Sequence, residues 1–464
     1  MQDQTPANGF RTFVTVWVTQ SVSMIGSMLA FFSLTIWLTT VLYPLEEQKP
    51  QLGVALSAMS LAFMLPGIFM APIAGAFVDR HDRRKTMLVA DLIMALLAGI
   101  LTVLISTKLL TLWTLVPLMA ALSAVNAFHS AAFDTSYVML VPNRLLPRAN
   151  GMMQTSISFA QFLAPMLAAV IIALPGMGRE GSLGALSALF GRVADGTALV
   201  TGLEALTYAL AAVVLIFIRI PSPRRSDLAP AGKPKKSLWA DVREGADYVF
   251  RRPPLLWLLA TFTVANFCLS TMNVLMPMIV KFNLADSREV LGLSVDQAMG
   301  RLGSLAGVGG LIGGLLISTW GGLKSRRVLG VVVPMVVTGA AQMLYGFSPA
   351  FYLTAAMAFL IQFTMPLTNA HSQSIWQAQT PKEMQGRVFS VRRIIAWVSN
   401  PVAATLAGIM GGYLDPGMVV GVMGAIFATF ATVQLFNPNL MRVEDKKHLD
   451  DMAAVPGGVA RSAP

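Results

Sequence analysis

Cysteine is nearly absent. Cys268 stands alone in 464 residues, which rules out an internal disulfide and a cysteine-based metal cluster. Histidine is scarce as well, with four in the chain, and only His129 and His371 fall inside apolar runs. Neither has a second ligand at a metal-binding spacing, so each reads as a hydrogen-bonded packing residue and no metal or cofactor is expected. Charge is thin: Asp, Glu, Lys and Arg make up 12% of the chain, about half of what a soluble domain carries. There is no Walker loop and no nucleophile–base set, so no ATP-hydrolysing site and no catalytic residue is assigned. The glycines Gly303, Gly307, Gly309, Gly310, Gly313 and Gly314 do not spell a dinucleotide loop, because Ile312 stands where the third glycine belongs. They read as a small-residue packing face.

What the chain has in excess is apolar length. Hydrophobic residues make up 55% of it and mean hydropathy is +0.65. Runs of about 20 apolar residues, each enough to span a bilayer, recur without the alternation of an outer-membrane barrel. The expected fold is therefore an all-α membrane protein. Twelve spans are placed at 12–42, 52–78, 86–106, 109–140, 150–174, 198–218, 255–280, 302–320, 328–347, 350–379, 388–414 and 417–436. They divide the chain into an amino-terminal six-helix half (1–220), a cytoplasmic linker (221–254), a carboxy-terminal six-helix half (255–436) and a polar cytoplasmic tail (437–464) expected to fray. A surface helix is expected in the linker at 238–250.

The net charge of +11 follows topology rather than nucleic-acid binding. With these spans, 27 of the 34 Lys and Arg are assigned to one side, Arg392 and Arg393 at the near end of the eleventh span included. The positive-inside rule makes that side cytoplasmic and puts both termini there. The segment before the first span is polar and that span is too long for a cleavable signal. The two halves also repeat weakly: 150–165 matches 386–401 at equal spacing, proline to proline, and a basic loop ends the second span of each half.

One of those loops carries a motif. Gly75-Ala76-Phe77-Val78-Asp79-Arg80-His81-Asp82-Arg83-Arg84-Lys85 has the order Gly-x-x-x-Asp-Arg-x-x-Arg-Arg and resembles the loop between helices 2 and 3 of the major facilitator superfamily. Asp82 departs from it, since many members carry a second glycine there. Three further stretches resemble the macrolide-efflux and siderophore-export branch of drug:proton antiporters: Trp17-x-x-Gln20-Ser21-Val22-Ser23-x-x-Gly26-Ser27, Leu146-Pro147-Arg148-Ala149-Asn150-Gly151 and Gln385-Gly386-Arg387-Val388-Phe389-Ser390. In the fifth span, Ala160-x-x-x-Ala164-Pro165-x-x-Ala168-Ala169 looks like the exporters' antiporter motif with alanine replacing glycine.

The resemblance implies a major facilitator fold and a secondary transporter. Such a carrier would export small, fairly hydrophobic molecules by alternating access, with protons as coupling ion and the lipid bilayer as surroundings. A monomer in the cell membrane is expected. The alternatives are an importer of the same fold and a non-transporting receptor or assembly factor. The family's loop role carries to Gly75, Asp79, Arg80 and Arg83 only. Apart from the resemblance, Asp79 is expected to close the cytoplasmic side by pairing with a charged or positive helix end near Arg387 or Arg392 on the eleventh span.

Polar side chains are costly in lipid and so should face the bundle interior or water. Four spans carry such stripes at helical spacing. They are Thr15, Thr19, Ser23 and Ser27; Asn126, Ser130, Asp134 and Tyr137; Thr263, Asn266, Ser270 and Asn273; and Gln362, Asn369, Gln373 and Gln377. These are the first and fourth spans of each half, which line the central cavity in the facilitator fold. Asn126, Ser130, Asp134, Asn266, Asn273, Gln362, Asn369 and Gln373 are therefore the cavity candidates. Met24, Phe31, Met272 and Met365 nearby would suit varied apolar ligands. The acids within spans are Asp91, Asp134 and Glu204. Glu204, toward the outside, and Asp134, toward the inside, are the proton-coupling candidates, and Asp91 is expected to pair with loop arginines.

Overall fold

The computed structural model describes residues 8–78, 80–142, 145–218, 220, 238–381, 384–445 and 449. Among them the chain is helical, with no strand, and twelve helices are long and apolar enough to cross a membrane. Lipid offers the backbone no hydrogen-bond partner, so such apolar runs have little choice but to form helices.

In chain order the helices are α1 (Gly9–Trp37), α2 (Lys49–Val78), α3 (Arg83–Ser106), α4 (Leu112–Leu140), α5 (Leu146–Arg179), α6 (Ser187–Phe190), α7 (Gly196–Phe217) and α8 (Leu238–Phe250). They continue as α9 (Pro253–Met278), α10 (Ala285–Val290), α11 (Val295–Trp320), α12 (Leu329–Phe347), α13 (Phe351–Gln379), α14 (Gln385–Tyr413), α15 (Pro416–Gln434) and α16 (Pro438–Met441). The twelve spans and the linker helix α8 appear where the apolar runs place them. The short helices α6, α10 and α16 were not anticipated, and α11 starts seven residues before its expected position.

Helix starts follow local chemistry. Asp82, Asp195 and Asp415 each accept a backbone N–H in the first turn of α3, α7 and α15, at 3.0, 2.8 and 2.6 Å. Asp82, the departure from the loop motif, is thus the N-cap of α3. The internal repeat is visible in the backbone. The first membrane helix of each half ends in a five-residue π turn, Leu38–Leu42 after α1 and Ile279–Asn283 after α9. Pro165 lies inside α5 and Pro401 inside α14.

The chain divides into two compact units. The first comprises 1–231 with 288–307. In it α1 packs on α5 and α7, α2 on α4, and α3 on both α4 and α7. Leu29, Ala30, Ala164, Ala168 and Val200 form one buried cluster of this unit, and Val16, Val78, Met87, Phe133 and Leu215 belong to another. The start of α11 joins it because Gly300, Gly303 and Gly307 lie against Ala169, Pro165 and Phe162 of α5.

The second unit comprises 232–287 with 308–464. There α12 packs on α13 and α15, α9 on α14 and α15, and the linker helix α8 on α14. The described start of the tail is docked: Leu440, Val443 and Leu449 are buried, and Gln379 donates to the Glu444 carbonyl at 2.9 Å, while 446–448 and 450–464 lie outside the described residues. These apolar side chains dock the segment after α15, where its overall polarity had suggested fraying.

Candidate functional site

Three groups of residues were singled out by the sequence, and the structure treats them differently. In the loop between α2 and α3, Asp79 lies outside the described residues. Gly75 is half-buried and Arg80 is exposed. The two following arginines turn back onto the helix ends. Arg83 is buried and donates to Met139 Sδ on α4. Arg84 Nε donates to the Leu215 carbonyl at 2.7 Å, and the same guanidinium bonds the Ile216 carbonyl. A cation on the free carbonyls at a helix end is favourable both as a cap and against the helix dipole. The first turn of α3 is thereby fastened to α4 and α7. Arg387 bonds Glu244 of α8 at 2.8 Å with both side chains partly exposed. Arg392 bonds Gln373 at 2.8 Å and Ser372 at 3.2 Å and lies over the rings of Trp376 and Phe262.

The polar stripes divide into helix glue and open faces. On α1, Thr15 and Thr19 bond their own backbone. Ser23 donates to the Thr207 carbonyl at 3.1 Å, and Ser27 meets the Tyr208 hydroxyl at 2.6 Å, so both tie α1 to α7. On α4, Asn126 and Asp134 are exposed and Ser130 is half-buried. Tyr137 donates to Asn150 at 3.2 Å.

In the second unit, Asn266 donates to the Ala396 carbonyl at 2.9 Å and Ser270 to the Asn400 carbonyl at 3.4 Å, joining α9 to α14. Asn273 and Asn369 are exposed and Gln362 is half-buried. Asn266 and Asn369 meet in a crevice of about 30 Å³ with Phe262, Leu269, Met365 and Thr368. That is room for one water and far below the roughly 300 Å³ of a drug-sized pocket.

The third group lies in the core of the first unit. Glu204 is 4% exposed, with Ser27 beside its carboxylate and Tyr208 one turn further along α7. Asp91 is fully buried, and it does not turn to the loop arginines as expected. Its carboxylate stands 3.3 Å from His129 Nε2 on α4, with the Gln20 amide of α1 beside it. Sequence reasoning treated Asp91 and His129 separately. The available signal was depth: both lie about two to three turns from the loop-side ends of consecutive helices. Among the described residues no group of three or more His, Cys, Asp or Glu could hold a metal. His371 is likewise a structural residue: its Nδ1 bonds the Leu367 carbonyl at 2.7 Å, and its Nε2 accepts the Leu323 N–H at 2.8 Å.

Twelve apolar helices long enough to cross a membrane, with acids buried in the core of the first unit, define a polytopic membrane protein. The sequence profile of the Major Facilitator Superfamily matches residues 16–404, and the chain belongs to that superfamily. Macrolide efflux protein A of Streptococcus pyogenes is 25% identical over 403 residues, covering 86% of this chain and 88% of the relative. The multidrug efflux pump Tap of Mycolicibacterium fortuitum is 24% identical over 363 residues, covering 76% and 79%. Among solved structures, the inward-facing, unoccupied bacterial homolog of the human lysosomal transporter Spinster aligns with TM-score 0.62 at 15% identity, covering 97% of this chain and 96% of that one. The POT family transporter PepTSo aligns with TM-score 0.65 at 13% identity, covering 94% and 99%. These structures share the fold.

Proposed function

We propose that this protein exports small, fairly hydrophobic molecules, of the drug, macrolide or siderophore type, across the cell membrane. It does so by alternating access, as a monomer with both termini in the cytoplasm, and inward proton movement drives it. The observation that carries this reading is Glu204. It is an acid sunk in the helical core, in a chain that resembles macrolide and multidrug efflux proteins along most of its length. A carboxylate removed from water favours its neutral form, and it ionises again when water or a cation reaches it. Those are the two states a proton-coupled carrier must alternate between.

In this reading Glu204 takes the proton on the outer side. Asp134, exposed on α4, releases it on the inner side or meets a cationic substrate. Asn126 and Ser130 on α4, Asn266 and Asn273 on α9, and Gln362, Asn369 and Gln373 on α13 supply polar substrate contacts amid Met and Phe. The loop residues Gly75, Asp79, Arg80 and Arg83 form the cytoplasmic gate, with Arg387 as the opposing cation. Arg387 now bonds Glu244 at the surface. A partly exposed pair of this kind is weak, about 0–1 kcal/mol, so it can be exchanged in each cycle.

The test is uptake of radiolabelled erythromycin into everted membrane vesicles holding the protein, with an acid-inside gradient as the sole energy source. Accumulation that collapses with a protonophore is expected. Vesicles that merely equilibrate the macrolide, and likewise other hydrophobic probes such as ethidium, would refute proton-driven export.

A further inference from the structure

The core of the first unit contains two buried acids, Glu204 and Asp91, and Asp91 has no part in the proton route proposed above. Asp91 Oδ1 and Oδ2, His129 Nε2 and Gln20 Nε2 are all buried without a hydrogen bond of good geometry, although the carboxylate and the imidazole stand 3.3 Å apart. Orphaned polar atoms in a core are expensive, and an uncompensated buried carboxylate is more so. The side chains facing Asp91 are His129 from α4, Gln20 from α1, and from α7 Tyr208, whose hydroxyl is within electrostatic range of both Asp91 and Glu204. The nearby arginines are engaged elsewhere: Arg83 on Met139 and Arg84 on the end of α7. A single proton resolves the arrangement. Held by Asp91, it gives a neutral acid beside a neutral imidazole. Moved to His129, it gives an ion pair. Without it, a bare carboxylate remains in the core.

The helix register relates this pair to Glu204. Thr102 bonds Thr201 at 3.0 Å and Arg84 bonds the Leu215 carbonyl, so α3 and α7 run antiparallel with Asp91 near the level of Leu210. Asp91 therefore lies about 9 Å further from the start of α7 than Glu204, at 1.5 Å per residue. Tyr208 lies between the two levels, with its hydroxyl on Ser27 at 2.6 Å. Two like charges so close in a core of low dielectric oppose each other. A proton gained by one acid makes ionisation of the other easier.

We propose that Asp91 and His129 form a second proton-binding site, displaced from Glu204 toward the loop end of α3 and coupled to it across Tyr208. If export is proton-driven, as proposed above, the proton taken up at Glu204 leaves by way of this pair. The transfer is a proton movement alone. Glu204 gives up H⁺, the Asp91–His129 pair gains it and later yields it to water, and no redox partner is needed.

Infrared titration of the full-length protein in liposomes, following the carboxylic C=O band, reads the site without reference to transport. Asp91→Asn should remove one titrating carboxylic band that Glu204→Gln leaves in place. His129→Gln should retain that band but displace its midpoint by about one pH unit, a tenfold change in proton affinity. An unchanged titrating spectrum in Asp91→Asn, or an unmoved midpoint in His129→Gln, would overturn the proposal. His129→Gln keeps the test decisive should Asp91→Asn fail to fold. In the same liposomes ethidium reports coupling. A one-unit gradient supports about tenfold accumulation per proton exchanged. Asp91→Asn should abolish that accumulation while downhill ethidium exchange continues. Accumulation at the unsubstituted level in Asp91→Asn would remove the pair from the proton's route. Absence of gradient-driven accumulation in the unsubstituted protein would instead defeat the proton-driven reading, and the infrared bands would still decide the site.

Discussion

Gly313 sets how closely α11 lies on α13, and the size of that constraint can be worked out. A Cβ added at Gly313 would overlap the Phe363 carbonyl, and one at Gly309, a turn earlier, would overlap the Phe359 carbonyl. The neighbouring atoms are backbone, so no side-chain rotation relieves the clash and the helices must separate. Overpacking of this kind costs about 1–3 kcal/mol. Gly314, the next residue, has nothing within 4 Å of such a Cβ and serves as the control. Its replacement by alanine should be neutral or slightly stabilising, because alanine is the better helix former by about 1 kcal/mol. The two clashing positions share one helix pair, so a single separation relieves both. Gly309→Ala/Gly313→Ala should therefore cost less than the sum of the single changes. The assay is the apparent melting temperature of the detergent-solubilised full-length protein, followed by fluorescence-detected size exclusion. Gly313→Ala should melt several degrees lower, at about 2–4 °C per kcal/mol, and Gly314→Ala should not. Equal melting of the two variants would refute the reasoning.

Asp79→Asn should be made and inserted normally and bind erythromycin, but lose most transport; near-normal export would reduce the loop to a topology signal. His371→Ala leaves the Leu323 N–H without its acceptor and should cost about 2 kcal/mol, read as a lower melting temperature that His371→Gln partly restores. With Cys268→Ala as background, cysteines at Ser226 and Lys447 should be labelled by an impermeant maleimide only after the membrane is opened. A cysteine at Asp296 should be labelled from outside, and labelling there only from the inside would overturn the proposed topology.

The bundle was readable because a bilayer span needs one simple thing, about 20 apolar residues, and the chain supplies it twelve times. The loop motif and the family were readable for a similar reason, since the motif is local in sequence. Helix rotation and neighbour choice are not local. Ser23 and Ser27 share a face with Thr15 and Thr19, yet the first two hold α7 and the last two their own backbone. Only the packing of α1 on α7 distinguishes them. Asp91 and His129 sit 38 residues apart and meet because α3 and α4 present those faces to each other; hydropathy averages over such a pair. Asn266 looked like a cavity residue by type and depth, but the Ala396 carbonyl takes one of its amide hydrogens while the same side chain borders the small crevice. The docking of the first tail residues was not legible because three buried apolar residues, Leu440, Val443 and Leu449, are diluted among charged neighbours.

The central claim is that a buried acid couples the proton to export. The direct measurement uses Glu204→Gln and Asp134→Asn in proteoliposomes with an imposed pH gradient, following both accumulation and downhill exchange of labelled erythromycin. The account predicts that Glu204→Gln exchanges the macrolide downhill at a rate near that of the unsubstituted protein but no longer concentrates it. If Glu204→Gln still concentrates it against its gradient, the claim is contradicted; if Asp134→Asn does so as well, neither carboxylate couples the proton.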